Sequence, residues 1–480
     1  MSLFRKKPID TDLAKDTGLK RVLGPLDLTL LGIGAIIGAG IFVLTGRAAA
    51  ADAGPAIVLS FVIAGIACAC AALAYAELAS SVGGAGSAYA YGYAGLGEFP
   101  AWIIGWLLIL EYTVAISTVA VGWSGYFNDG LRALFGTGLP DTLLHGPWEQ
   151  TASGAPGIIN LPAVLIIALL GALLAGGAKI SAQFNAIMVF VKVSAILLFL
   201  AVAFGHIDPA NWSPFVPDVV VDDHGRAHYG WQGVLTGAAT IFFAYIGFDA
   251  VSTAAEECRN PQRDLPIGII ASLAVCTVLY IAVSGTLTGI VHYSELLTAS
   301  PVSTALLKIG ESWAAGMISI GAIAGLTTVM LVLYYAITRI LFAISRDGLL
   351  PPFFAHISPH TKSPTRVILM LGIIMGGLGG FLPLQNLAEL TNIGTLGAFV
   401  VVCAGVIVLR RTHPDLPRGF KTPFGPVIPL LGIVFCLWLM VSLRAETWRA
   451  FGVWLVAGLL IYFLYSRQRS VLAQSSPEAA

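Results

Sequence analysis

Four glycines, Gly32, Gly34, Gly38 and Gly40, fall within the stretch GIGAIIGAGIF from Gly32 to Phe42. Each weakens a helix by roughly 1 kcal/mol relative to alanine. Yet the stretch lies inside an apolar run, Leu26 to Leu44, that approaches the thickness of a bilayer. Backbone N–H and C=O groups freed inside lipid are costly unless something satisfies them. A broken segment at that depth is expected to line a cavity, where a bound solute supplies the missing partners. Gly-xxx-Gly spacing also lets membrane helices approach closely, so the spacing alone leaves both uses open. A second stretch, TIFFAYIGFDAVSTAAEE from Thr240 to Glu257, places Gly247 and Asp249 mid-membrane, followed by Ser252 and Thr253. Breaks are expected at Gly38 to Gly40 and near Tyr245 to Gly247. Half-helix N-termini offer N–H groups to an anion, and exposed C-terminal carbonyls face a cation. A solute with adjacent carboxylate and ammonium groups fits both ends, and that describes an α-amino acid.

Two further charges lie within apolar runs. Glu111, in WLLILEYTVAIS, is costly enough at the membrane centre to need a partner or a function. It could sense a substrate ammonium, bind a coupled proton or pair with a neighbouring helix. Lys192 is the lone lysine inside a span, flanked by VFV and VSAILLFL. It could exchange a proton during transport, snorkel to an interface or hold a constant ion pair. Phe243 could close over a solute or simply pack, and Met330 could help set pocket size. Glu77 ends a span and is expected to face the interface. Glu256 and Glu257, with Arg259 and Arg263 nearby, read as a solvated or gating ion-pair cluster. Tyr89, Tyr91 and Tyr93 suit an aromatic interface belt.

The elements that hold these residues are membrane spans. The chain has 480 residues, 57% hydrophobic and 11% charged, about half the charged fraction of a soluble protein. Its zero formal net charge says little about partners. Apolar runs of about 18 or more residues number roughly twelve: 26–46, 55–79, 97–127, 158–178, 185–205, 231–253, 265–290, 312–344, 366–383, 387–409, 427–443 and 448–466. Lysine and arginine favour one set of connecting segments by roughly three to one, which puts both termini in the cytosol. The polar start of the chain reads as a cytosolic tail, not a signal peptide. The six cysteines read as packing thiols, Cys68 and Cys70 lying too close together for a CxxC site. The DDHGRAH segment at 222–228 carries metal-ligand residue types, but it is read as an acidic outer loop, with no metal expected. The two expected breaks lie five spans apart, in the first and the sixth. They therefore cross in opposite directions, the pointer to an inverted-repeat transporter.

The stretches IGAIIGAGIF (33–42), FFAYIGFDAVSTAAEECRNPQRDLPIGI (242–269), ISRDGLLPPFF (344–354) and LRRTHPDLPRGFKTPFGPVIP (409–429) resemble the amino acid–polyamine–organocation superfamily. Within it they are similar to bacterial members of the cationic amino acid transporter family. The resemblance implies an all-α polytopic membrane protein of about twelve transmembrane helices. It would be a LeuT-like 5+5 inverted repeat with two additional C-terminal helices. The corresponding segments are a cytosolic tail (1–25), a first repeat (26–205), an extracytoplasmic loop (206–230), a second repeat (231–409), two further spans with their preceding loop (410–466) and a cytosolic tail (467–480). By the same resemblance, amides around Gly38, Ala39 and Gly40 hold a substrate carboxylate. Carbonyls near Ile37, Phe243, Ala244 and Ile246 hold its α-amino group, and Glu111 stands beside the site. Many family members carry a hydroxyl residue in the first break where this chain has Ala39, so the carboxylate would rely on backbone donors. A lysine at the place of Lys192 sits, in related carriers, against helices one and eight where sodium-coupled relatives bind an ion.

The expected function is proton-coupled import of L-amino acids across a bacterial plasma membrane by alternating access, with no cofactor and no sodium requirement. Exchange, or sensing without flux, are the alternatives within the fold. No GxxxxGK followed by Ser or Thr is present, so a fused ATP-driven motor is out. No filter-like repeat suggests a channel, and no HExxH or GxSxG suggests an enzyme. The expected partners are the amino acid and the lipid bilayer, with no nucleic acid, and a small membrane subunit is left open. The absence of a second intramembrane carboxylate addressing a long side chain leans substrate choice towards neutral or broad specificity.

Overall fold

The computed structural model describes residues 3–7, 22–82, 87–151, 154–177, 182–221, 227–361 and 363–474. Most of the expected N-terminal tail and most of the DDHGRAH segment lie outside the described residues, as does the side chain of Glu256. The described chain is mostly helical, and its strands form a two-stranded ribbon pairing Val220–Val221 with Ala227–His228. Among the described residues, eight helices are long and apolar enough to cross a membrane, and four shorter apolar helices, Pro25–Ile36, Leu161–Ala175, Thr365–Phe381 and Val427–Val441, accompany them.

At the centre stands the helix Glu98–Phe135, apolar on all sides and buried along most of its length, as a helix enclosed by other helices must be. It ends where Gly136 turns left-handed (φ 74°) and donates its N–H to Arg132 O, a glycine stop of the usual kind. It packs chiefly against Ser312–Arg346 and Leu384–Thr412, while Ile57–Val82 and Pro25–Ile36 pack on Pro261–Ile290. At the periphery, Ala445–Ile461 turns Val453, Val456 and Leu460 outward. Those side chains match lipid rather than protein.

One charge expected at an interface is instead locked inside, and three tyrosines with it. Glu77 is buried, accepts from Arg410 at 2.8 and 2.5 Å and from the amide of Thr422 at 2.8 Å, and has Arg418 at 3.4 Å. The reason is the loop after Leu384–Thr412, which folds back under the end of Ile57–Val82. Tyr89, Tyr91 and Tyr93 are likewise buried and form no belt. Their hydroxyls donate to Asp347 Oδ2 (3.0 Å), Ser252 O (3.3 Å) and Glu98 Oε2 (3.2 Å). Glu257 pairs with Arg339 at 3.6 Å rather than with Arg259 or Arg263. All six cysteines are buried thiols.

Leu3–Lys7 forms a strap across one end of the bundle. Glu98 N donates to Arg5 O (2.8 Å), Phe99 N to Leu3 O (3.1 Å), and Lys7 Nζ reaches Asp347 Oδ1 at 2.9 Å. Beneath it, buried Glu98 accepts from Ser470 Oγ (2.5 Å) and Tyr462 OH (3.1 Å).

Candidate functional site

Both breaks expected from the glycines are present. Pro25–Ile36 stops where Ile37 takes extended backbone (φ −72°, ψ 99°), and helix resumes as a π turn over Gly40–Leu44. Among the described residues, the N–H groups of Gly38, Ala39, Gly40 and Ile41 have no hydrogen-bond partner. They are the orphan donors that any new helix start leaves. Several carbonyls around the break, by contrast, are already occupied. Lys192 Nζ donates to Gly34 O (2.5 Å) and Ile37 O (3.1 Å), and Tyr280 OH donates to Ile36 O (3.0 Å). Beyond the break, Thr45 Oγ1 donates to Gly40 O (3.0 Å) and Tyr126 OH to Phe42 O (2.7 Å). The first break therefore offers donors and keeps many of its acceptors engaged. Ile37 O, expected to hold a substrate amine, is held by Lys192.

Gly230–Ile241 gives way to a 3-10 turn, Phe242–Tyr245, then to extended Ile246 (ψ 137°) and to Gly247 at φ 116°. Only glycine adopts that last conformation readily. Ile246 N donates to Phe243 O (3.2 Å), so that carbonyl too is taken. Asn392 Nδ2 steadies the approach to the break, donating to Ala239 O (2.7 Å) and Thr240 O (3.1 Å). The two breaks lie against each other. A Cβ on Gly40 would collide with the backbone and methyl of Ala244, and one on Gly247 would meet Ala35 C and O at 2.9 Å. The structure thus brings together Gly38, Ala39, Gly40, Ala244 and Gly247. Space beside Gly38 is closed by Val329, not by neighbouring Met330.

Lys192 is fully buried and packs against Gly325, whose Cβ would meet its own Cβ at 3.3 Å. It does not snorkel. It wedges between the first broken helix and Ser312–Arg346. Glu111 is buried as well, and among the described residues neither of its oxygens has a partner in good hydrogen-bond geometry, with Thr395 alongside. It faces Asp249, whose Oδ2 accepts from Tyr112 OH at 2.5 Å, with Tyr75 close by. Along Glu98–Phe135, Gly122 abuts Ala39. Glu111 is eleven residues away, roughly 16 Å along the axis. It belongs with Asp249 on the second break rather than with the amides of the first.

Sequence reasoning missed Asn392 and Val329 and did not pair Asp249 with Glu111. A buried asparagine in an apolar run, LTNIG, is the one signal that could have flagged Asn392.

Two discontinuous helices cross at glycines inside an apolar bundle of membrane-spanning helices, and the family match gives the class, a permease of the amino acid–polyamine–organocation superfamily. Residues 23–463 match the family described as Amino acid permease, and the chain belongs to it. It is 51% identical over 473 residues to the Methylthioribose transporter of Bacillus subtilis (strain 168), covering 98% of this chain and 99% of that one. It is also 51% identical over 477 residues to the Branched-chain amino acid permease BcaP of the same organism, again 98% and 99%. The Cationic amino acid transporter 4, vacuolar, of Arabidopsis thaliana is 40% identical over 420 residues, 86% of this chain and 68% of its own.

Proposed function

We propose that this permease imports neutral, aliphatic L-amino acids across a bacterial plasma membrane, coupled to protons, by alternating access. The carrying observation is the row of unpartnered amides from Gly38 to Ile41, buried at the crossing of two broken helices. Unpaired N–H groups in a dry site favour an anionic group, and a carboxylate brings one without leaving a net charge in the membrane if an ammonium accompanies it. The ammonium is set towards the second break, near Ala244 and Ile246, with Glu111 and Asp249 as buried carboxylates that an ammonium or a proton neutralises. Lys192 stands where a coupling cation would bridge the first break, so its protonation favours one access state and its deprotonation the other.

Splitting Gly40–Val82 at Gly54, where φ is +62°, and joining its first part to Pro25–Ile36 gives twelve spans. Ten form the two inverted five-helix halves and two follow, with both termini cytosolic. Aliphatic selectivity is favoured by the apolar surroundings, Val329 and Phe243 above all, and by the branched-chain permease among the relatives. A thioether sugar is the rival substrate, favoured by the equally similar methylthioribose transporter. Such a sugar has no carboxylate for the free amides. Purified protein in liposomes should take up L-leucine down an inward proton gradient without sodium, and leucinamide and methylthioribose should compete poorly. Uptake inhibited by methylthioribose and not by leucine would refute the substrate assignment.

A further inference from the structure

Above the first break, on the side away from the strap, lies a cavity of about 180 Å³ between the first span and Glu98–Phe135. That volume admits a small solute as well as water. Val43 and Gly122 form its floor, and a Cβ on Gly122 would meet Val43 at 3.0 Å and Ala39 at 3.4 Å. That contact lies between the cavity and the break.

The charges on its walls are not evenly engaged. Asp129 accepts from Ser300 Oγ, Arg132 pairs with Asp141 at 3.7 Å, and Glu149 accepts from Gly146 N at 3.4 Å. Arg132 and Asp141, 54% and 40% exposed, form a rim that reaches solvent. Arg47 is different. It is half-buried one turn above Val43, and among the described residues its guanidinium makes no hydrogen bond or ion pair, feeling Glu149 only at a distance. A desolvated guanidinium without a partner is unfavourable, and its planar fork matches a carboxylate.

We propose that this cavity is a staging subsite for an α-amino acid zwitterion, with Arg47 taking the carboxylate and Glu149 and Asp129 facing the ammonium. The proposal rests on the amino acid transport reading and deepens it. Arg47 lies seven residues beyond Gly40, roughly 10 Å along the helix. Separation of Val43 from Gly122 would pass the carboxylate from the guanidinium to the free amides below without its changing orientation. The subsite therefore selects for the α-carboxylate before the outer contact opens.

Arg47→Gln should raise the KM for L-leucine uptake by about tenfold or more with kcat kept, since a charge-assisted pair is lost; Arg47→Lys should recover part of it. A KM unchanged in Arg47→Gln would overturn the subsite, whereas absence of leucine uptake by the unaltered protein would overturn the transport reading itself. A second measurement does not depend on that variant folding. Val121→Cys puts a thiol on the cavity wall, and the six native thiols are buried. Millimolar leucine should slow its labelling by a membrane-impermeant thiol reagent, and leucinamide should not. Labelling at the same rate with and without leucine would refute the proposal.

Discussion

Lys192→Met removes the ammonium while nearly conserving side-chain length, so cavity effects are small. What it leaves are two buried carbonyls, Gly34 O and Ile37 O, that have lost their donor. A buried acceptor left unsatisfied costs about 1–3 kcal/mol, so the pair disfavours the present arrangement by about 2–6 kcal/mol. At about 1.4 kcal/mol per tenfold, even the lower figure shifts the balance of access states by roughly 30-fold. The expected phenotype in proteoliposomes is specific. Unaltered protein accumulates L-leucine increasingly as outside pH falls. Lys192→Met keeps measurable leucine binding and slow counterflow with no gradient, but accumulates nothing in response to the proton gradient. Full proton-driven accumulation by the variant would show that the ammonium is only a structural clamp, and the coupling assignment would be abandoned.

Gly40→Leu should abolish leucine binding, because any side chain there runs into Ala244 and forces the crossing apart; wild-type affinity by scintillation proximity would move the site elsewhere. Glu111→Gln preserves shape but not charge. It should weaken leucine-induced thermal stabilisation by about tenfold in apparent affinity, as expected for a lost charge-assisted contact, and an unchanged titration would leave Asp249 as the only acid involved. Glu77→Ala strands Arg410 and Arg418 beneath the bundle. It should lower stability by about 3 kcal/mol, the low end for a broken buried pair because Arg410 keeps 15% exposure, and a melting curve superimposable on that of the unaltered protein would count against this.

The breaks were legible because glycine placed against the energetics of a lipid-embedded helix leaves a local mark, and the same holds for a lone lysine in an apolar run. Sequence marked Glu111 as costly and placed Asp249 mid-membrane, but did not show their mutual facing, which depends on how Glu98–Phe135 and the second broken helix are rotated. Glu77 misled because its partners arrive 333 and more residues later, folded back by a loop whose path no periodicity encodes. Val329 rather than Met330 closes on Gly38 for a similar reason. One residue on a buried helix turns the side chain by about 100°, and a helix apolar on every side does not declare which face looks inward.

The strap formed by Leu3–Lys7 sets an order of assembly. Its partner Asp347 follows Lys7 by 340 residues, and Ser470, which completes the buried cluster around Glu98, follows that residue by 372. At about 5–20 residues per second of synthesis, Leu3–Lys7 leaves the ribosome roughly 20–70 s before Asp347 exists. Throughout that interval the segment has no finished surface to lie on and stays open to proteases and modifying enzymes. Its docking therefore marks a polypeptide whose last helices have been inserted, and a chain stalled part-way leaves the segment without the Asp347 contact that anchors it.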